Sequence, residues 1–351
     1  MSKARDAAQP AAQNTLRGTL GWLWTVLGPF LGLILITGLF AWMTRETGSF
    51  LTPYNWRTIA VQTVVVGTAA LGMTVIMIAG AIDLSVGSTI ALVTVVVAML
   101  VKRLDPALPV GLRSAGLALM IAMGVGVVLG GLCGAVNGML VAGLRVVPFI
   151  VTLGSYKVYR GLAKWLASST TVYVPADAKA WWLSRILAPE PEPRWLMIAP
   201  GAWALLVLAV GLAIVLRYSL FGRHVYAVGS NEATARLCGV NVPKVKILVY
   251  ALAGLATGLA GILQFIYMSA TGDPTTADGL ELKVIAAVVI GGGSLSGGEG
   301  SVVGTLIGCL IMSVLDNGCV HAGIPNPTQD IIIGVIIVAA VTLDRIRRGG
   351  A

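Results

Sequence analysis

Few side chains in this sequence could take part in chemistry, and their spacing argues against catalysis. The two histidines, His224 and His321, are far apart, and there is no H-E-x-x-H, no G-x-S-x-G and no G-x-x-x-x-G-K-[ST]. That removes a zinc hydrolase, a serine hydrolase and ATP bound through a phosphate loop. The glycine-rich run Gly291–Gly300 lacks the lysine and the preceding strand a phosphate loop needs. Cys133, Cys238, Cys309 and Cys319 show neither C-x-x-C nor metal-ligand spacing, and they imply no disulfide framework. No acid pair or Ser/His pair is set deep in the apolar runs, as an intramembrane protease would want. The chain reads as a protein that is not an enzyme and carries no cofactor or metal of its own.

What remains are polar residues placed where they are costly or structured. Asp83, within Gly80-Ala81-Ile82-Asp83-Leu84-Ser85-Val86-Gly87-Ser88, is the acid set most deeply among apolar residues. An ionisable group there marks a solute pathway or is satisfied by free backbone N–H groups, and a helix start directly downstream offers such groups. Both readings stand, with Ser85 grouped beside Asp83. Asn137, Thr152 and Ser155, with the ring of Phe149, offer hydrogen bonds and a stacking face suited to a neutral polyhydroxylated solute. The same small and hydroxyl residues also serve plain helix packing.

A different kind of signal lies at Phe221–Lys246, where Arg223, His224, Arg236, Lys244 and Lys246 face the single acid Glu232. Its centre predicts a short helix: Ser230 or Asn231 caps the start, Glu232 suits the positive end of the dipole, and Gly239 ends it. Spacing alone leaves two roles for it, a structured docking element or a solvated loop that holds orientation.

The elements that must position these residues follow from composition. At 57% hydrophobic and 11% charged, with mean hydropathy +0.89, the chain falls far from soluble domains, which run at about 25% charged. The net charge of +9 reflects residues flanking membrane spans rather than nucleic-acid binding. The fold class is all-α and polytopic, with about ten transmembrane helices and short broken or re-entrant segments. Spans are expected at 20–43, 58–80, 86–101, 114–136, 146–165, 196–216, 247–268, 282–292, 301–318 and 329–343. That gives a cytoplasmic tail at 1–19, one transmembrane domain at 20–345 and a tail at 346–351. Segment 167–195, with Trp181, Trp182 and Trp195, is expected as an outer segment holding a short interfacial helix, and 217–246 as a cytoplasmic loop. With both ends inside, half of the 24 lysines and arginines fall on the inner side, so the totals give no vote on orientation. Lys157, Arg160 and Lys164 are the outlier, placed toward the outer face.

The Gly80–Ser88 stretch and Gly291-Gly292-Gly293-Ser294-Leu295-Ser296-Gly297-Gly298-Glu299-Gly300-Ser301 each lie in their own half of the chain. Paired interruptions of this kind point to a transporter's pathway, with Gly87, Gly292, Gly293, Ser296 and Gly297 as hinge positions. Asn137-Gly138 with Pro148-Phe149, and Asn317-Gly318 with Pro325 to Pro327, read as further interruptions.

Four stretches, AGAIDLSVGS, VNGMLVAGLRVVPFIVTLGSYKVYRGLA, VGSNEATARLCGVNVPKVKILVYALAGLATGLAGIL and ELKVIAAVVIGGGSLSGGEGSVVGTLIG, occur in the order found in one family. Over about residues 58–345 the chain resembles the permease subunits of ribose- and xylose-type ABC sugar importers. That resemblance implies a bacterial inner-membrane protein with cytoplasmic termini, paired with a second permease as a homodimer. It further implies a periplasmic or lipid-anchored sugar-binding protein outside and a cytoplasmic ATPase that binds the ATP. It makes the NEATARLCG helix a coupling helix, with Asn231, Glu232, Ala235, Arg236 and Gly239 at the matching positions. Alanine at 81, Thr234 and Cys238 depart from the family's usual small residues. Two alternatives differ from a monosaccharide importer: a nucleoside-type ABC permease, and an ion-coupled secondary transporter. The latter would need an intramembrane carboxylate pair, for which only Asp83 and Asp316 are available.

Overall fold

A computed structural model describes residues 28–349 except 47, 110, 113–115, 145, 179 and 181. The expected tail at 1–19, the start of the first span, Arg145 and Trp181 lie outside the described residues. Its longer helices are α1 (Gly28–Met43), α2 (Pro53–Ile78), α3 (Val86–Leu104), α4 (Leu117–Leu144) and α5 (Pro148–Leu166). A four-residue α6 (Leu183–Ile186) precedes α7 (Pro200–Tyr218), α8 (Leu220–Ser230), α9 (Glu232–Leu237) and α10 (Val242–Tyr267). The chain closes with α11 (Leu280–Ile290), α12 (Val302–His321) and α13 (Asn326–Gly349).

Six of these, α2, α3, α4, α7, α10 and α12, are long and apolar enough to cross a membrane. The remaining four expected spans exist as helices but fall short by that measure. α5 carries Lys157, Arg160 and Lys164, while α11 has 11 residues, about 16 Å of helix against the roughly 30 Å of a hydrocarbon core. α1 and α13 show apolar stretches of intermediate length. α13 also runs on through Gly349, into the region expected as a tail.

Helix α2 is the hub, buried along nearly its whole length. It runs antiparallel to α12, with Asn55 Nδ2 donating to Asn317 Oδ1 at 2.9 Å near one end and the Thr74 and Thr305 hydroxyls 2.8 Å apart near the other. The closest seam joins α4 to α10. Between lipid-facing helices apolar contact gives little drive, so association needs close approach by small residues. Here Gly134 faces Gly254, where a side chain on either glycine would fall within 2.8–3.0 Å of the partner's backbone. This seam explains one departure from expectation. Asn137-Gly138 is no interruption but lies inside α4, because Gly138 lets the helix sit against Ile247 and Tyr250. Asn317-Gly318 likewise lies inside α12, with Gly318 flat against the Phe40 ring.

A two-stranded antiparallel ladder, β1 (Val172–Tyr173) with β2 (Thr271–Gly272), closes the bundle at the end opposite α9. The 167–195 segment is mostly irregular, and α6 is its only α-helix among the described residues. Trp182 packs against the core there while Trp195 is exposed.

Candidate functional site

Three constructions carry the polar residues. The first is the helical knee between α7 and α10. Ser219 caps α8 by accepting from the Gly222 N–H at 3.0 Å, and Asn231 caps α9 by accepting from the Thr234 N–H at 2.9 Å. Of the two candidate caps, Asn231 serves α9, and Ser230 is the last residue of α8. Gly239 adopts φ +83° just past the C-terminus of α9, the left-handed turn that favours glycine. Glu232 meets Arg236 at 3.1 Å and reaches across to Lys246 on α10 at 2.7 Å. Ala235 is the buried side of α9. Leu237, which sequence reasoning passed over, is 89% exposed at its tip. A cleft lined by Val141, Val146, Arg236, Val242 and Lys246 runs beneath. Tyr226 on α8 donates to the Gly300 carbonyl at 3.1 Å, and burial pushes its phenol up from the ordinary value.

The second construction is the break between α2 and α3. Asp83 Oδ1 accepts from the Ser85 N–H at 2.7 Å and from the Ser85 hydroxyl at 2.6 Å. Ser85, not Asp83, occupies the N-cap position of α3, so Asp83 closes a turn just ahead of the helix. Asn137 Nδ2 donates to Ser85 Oγ at 2.9 Å, and the Tyr159 hydroxyl donates to Asn137 Oδ1 at 3.1 Å. The Tyr250 hydroxyl donates to the carbonyl of Ile82 at 3.3 Å, and the Thr152 hydroxyl lies 3.3 Å from the same carbonyl and 3.1 Å from the Pro148 carbonyl of its own helix. These partners satisfy a stretch of backbone that has left the helix, the condition for irregular chain at membrane depth.

That geometry gives the residues expected along the pathway structural partners of their own. Asp83, Ser85, Asn137, Thr152 and Ser155 are all buried within the chain, four of them within hydrogen-bond distance of one another or of the broken backbone. Only Phe149 reaches the surface, at 46% exposure.

The third construction is the glycine-rich turn 291–300. Gly292, Gly297 and Gly298 have φ of +88°, +86° and +76°. The Gly293 N–H donates to Val288 O at 2.8 Å, and the Ser296 N–H to Ser294 Oγ at 3.0 Å. This turn meets the α2–α3 break directly: the Gly298 N–H donates to Ile78 O at 2.8 Å. A side chain on Gly297 would fall 2.7 Å from both Gly229 O and Gly80 Cα. The two interrupted stretches and the end of α8 therefore touch backbone to backbone. Gly87 makes a separate close approach, since a Cβ there would overlap the Ala277 carbonyl and Glu281 Oε2.

Sequence reasoning missed a fourth group. Arg160, read only as an orientation outlier, is buried on α5 and donates through Nη1 to the carbonyls of Pro274 at 3.1 Å and Thr276 at 2.6 Å. Its Nη2 lies 3.5 Å from Asp278, which also accepts from the Tyr156 hydroxyl at 2.8 Å. The available signal was a Tyr and an Arg four apart, Tyr156 and Arg160, which a helix places on one face. Asp316 pairs with Lys283 at 2.9 Å. Asp83 and Asp316 thus have separate partners and do not make the carboxylate pair that an ion-coupled transporter would need.

A family model described as branched-chain amino acid transport system / permease component matches residues 55–341. The ribose import permease protein of Escherichia coli is 38% identical over 319 residues, 89% of this chain and 92% of that protein. The L-arabinose ABC transporter permease protein of Azospirillum brasilense is 33% identical over 348 residues, 99% of this chain and 96% of the relative. The autoinducer 2 import system permease protein of Photorhabdus luminescens is 33% identical over 277 residues, 78% and 77% of the two chains. No solved structure matches.

Proposed function

The chain belongs to the branched-chain amino acid transport system / permease component family, and on that premise we propose that it imports a monosaccharide as the membrane subunit of an ATP-driven transporter. It is a transport protein and not an enzyme. Relatives named for ribose and L-arabinose favour a pentose-sized neutral solute over the branched-chain amino acids of the family description. ATP is bound by a separate ATPase seated on α9, a second copy of the chain completes the passage, and a soluble sugar-binding protein docks at the β1–β2 end. The termini lie on the ATPase side of the inner membrane.

The observation that carries this reading is the build of α9. A six-residue helix cannot hold itself together in water. Here it is capped at both ends, clamped to α10 through Glu232–Lys246, and left with Leu237 facing out. Such an element transmits force and offers an apolar contact to a partner. Replacing Glu232 with Gln, or Arg236 with Ala, is expected to abolish ATP-dependent ribose uptake in proteoliposomes while the protein stays folded in the membrane. Uptake that survives both changes, or that follows a proton gradient with no ATPase present, would rule the reading out.

A further inference from the structure

The chain between β2 and α11, residues 273–279, is irregular backbone that descends beside α3. Gly272 packs against Thr94, Val95 and Ala98, while the Ala277 carbonyl lies against Gly87. Along α3 that is a drop of about 10 to 16 Å, inside a helix apolar enough to span the membrane. Non-helical chain at such depth must be buried in protein or line a water-filled space. This segment does both, on opposite sides.

On its inner side, Arg160 satisfies the Pro274 and Thr276 carbonyls, and Gln264 Nε2 donates to Thr276 Oγ1 at 2.9 Å. On its outer side Thr275 is exposed, and the Asp278 side chain is 70% exposed. A carboxylate is strongly disfavoured against lipid tails, so this side faces water. Tyr156 leans over it from α5, its hydroxyl on Asp278, with Lys157 Nζ 5.3 Å and Arg160 Cζ 5.7 Å from the ring centroid. Exposed Phe149 lies further down α5. Three buried polar atoms at the same place, Arg160 Nε and Nη2 and Glu281 Oε2, lack a hydrogen-bond partner among the described residues. Orphaned atoms of this kind call for water or another polar partner.

We propose that Tyr156, Thr275 and Asp278 form a hydroxyl-binding station on the wall of the solute passage, held in place by Arg160 as a positioning residue. The station rests on the transport reading above and gives it a contact point. Its ligand is a neutral polyhydroxylated molecule. Asp278 uses Oδ1 for Tyr156 and Arg160, which leaves Oδ2 to accept hydroxyl protons. Thr275 donates its own hydroxyl to Asp273 at 2.7 Å and so presents lone pairs, and the Tyr156 ring offers a flat face to C–H groups.

The test uses the full chain, reconstituted with its ATPase, on a Cys238→Ser background because the other three cysteines are buried. Thr275→Cys is expected to react with a membrane-impermeant methanethiosulfonate at least about tenfold faster than Val207→Cys, an exposed apolar position on α7, and D-ribose is expected to slow that reaction. Asp278→Asn is expected to lower D-ribose uptake roughly tenfold, the loss of a charge-assisted hydrogen bond, while ATP hydrolysis persists. Equal labelling at 275 and 207, or unchanged uptake in Asp278→Asn, would overturn the station. If the parent protein takes up no sugar, the transport reading fails instead. Labelling then decides alone: a tenfold contrast supports the station and equal rates overturn it.

Discussion

Residues 79–85 and residues 273–279 both leave the helix within the thickness of the bundle, yet they treat their polar groups oppositely. Around the first, Asp83, Ser85, Asn137, Thr152 and Tyr250 bond to one another or to the Ile82 carbonyl, and all are shut away from the surface. Around the second, one side is tied down by Arg160 and the other presents Asp278 outward. A polar residue in an apolar stretch therefore has two distinct meanings. Where its partners are internal it is a rivet for a broken backbone; where it is left facing out at depth, something wet lies beside it.

The sharpest way to break the comparison is Gly87→Val, because Gly87, in the first turn of the helix that follows residues 79–85, is where residues 273–279 pack against that helix. A side chain there would collide with the Ala277 carbonyl and the Glu281 carboxylate. We expect a cost of about 3 kcal/mol, the upper end of overpacking, seen as a large drop in Tm of the detergent-purified protein. A Tm within roughly 2 °C of the parent would mean that residues 273–279 do not pack against α3 at this point. A smaller effect is expected at Asp83. Asp83→Ala orphans the Ser85 N–H and hydroxyl and should cost about 2 kcal/mol. Asp83→Asn keeps an acceptor oxygen, so melting and uptake should stay close to the parent. Lost transport in Asp83→Asn at unchanged Tm would move Asp83 from rivet to pathway. The smallest expected change is Phe149→Leu, an exposed position where stability should shift by less than about 0.5 kcal/mol. A fall in sugar uptake without a change in Tm would join Phe149 to the Tyr156–Asp278 wall, and a fall in both would remove it.

Much of this was legible in the residues, and the unread parts share a cause. Asn231, Glu232 and Gly239 were readable because capping and helix-dipole effects act within a few residues. The long spans were readable because hydropathy is local too. Asn137-Gly138 was misread as an interruption because glycine inside a membrane helix also serves close packing, and its partners Ile247 and Tyr250 lie far along the chain. The same distance hid Arg160 from Asp278 and Lys283 from Asp316, contacts that exist only once helices are docked. Burial, too, separates Thr152 from Phe149, although they are one helical turn apart on α5.

Gly80, Gly229 and Gly297 meet with no side chains between them. Side chains act as springs, swapping rotamers and absorbing small displacements before neighbouring elements feel them. A joint of bare peptide has no such slack: a displacement at the end of α8 would meet the start of the α2–α3 break and the 291–300 turn directly, with no rotamer to take it up.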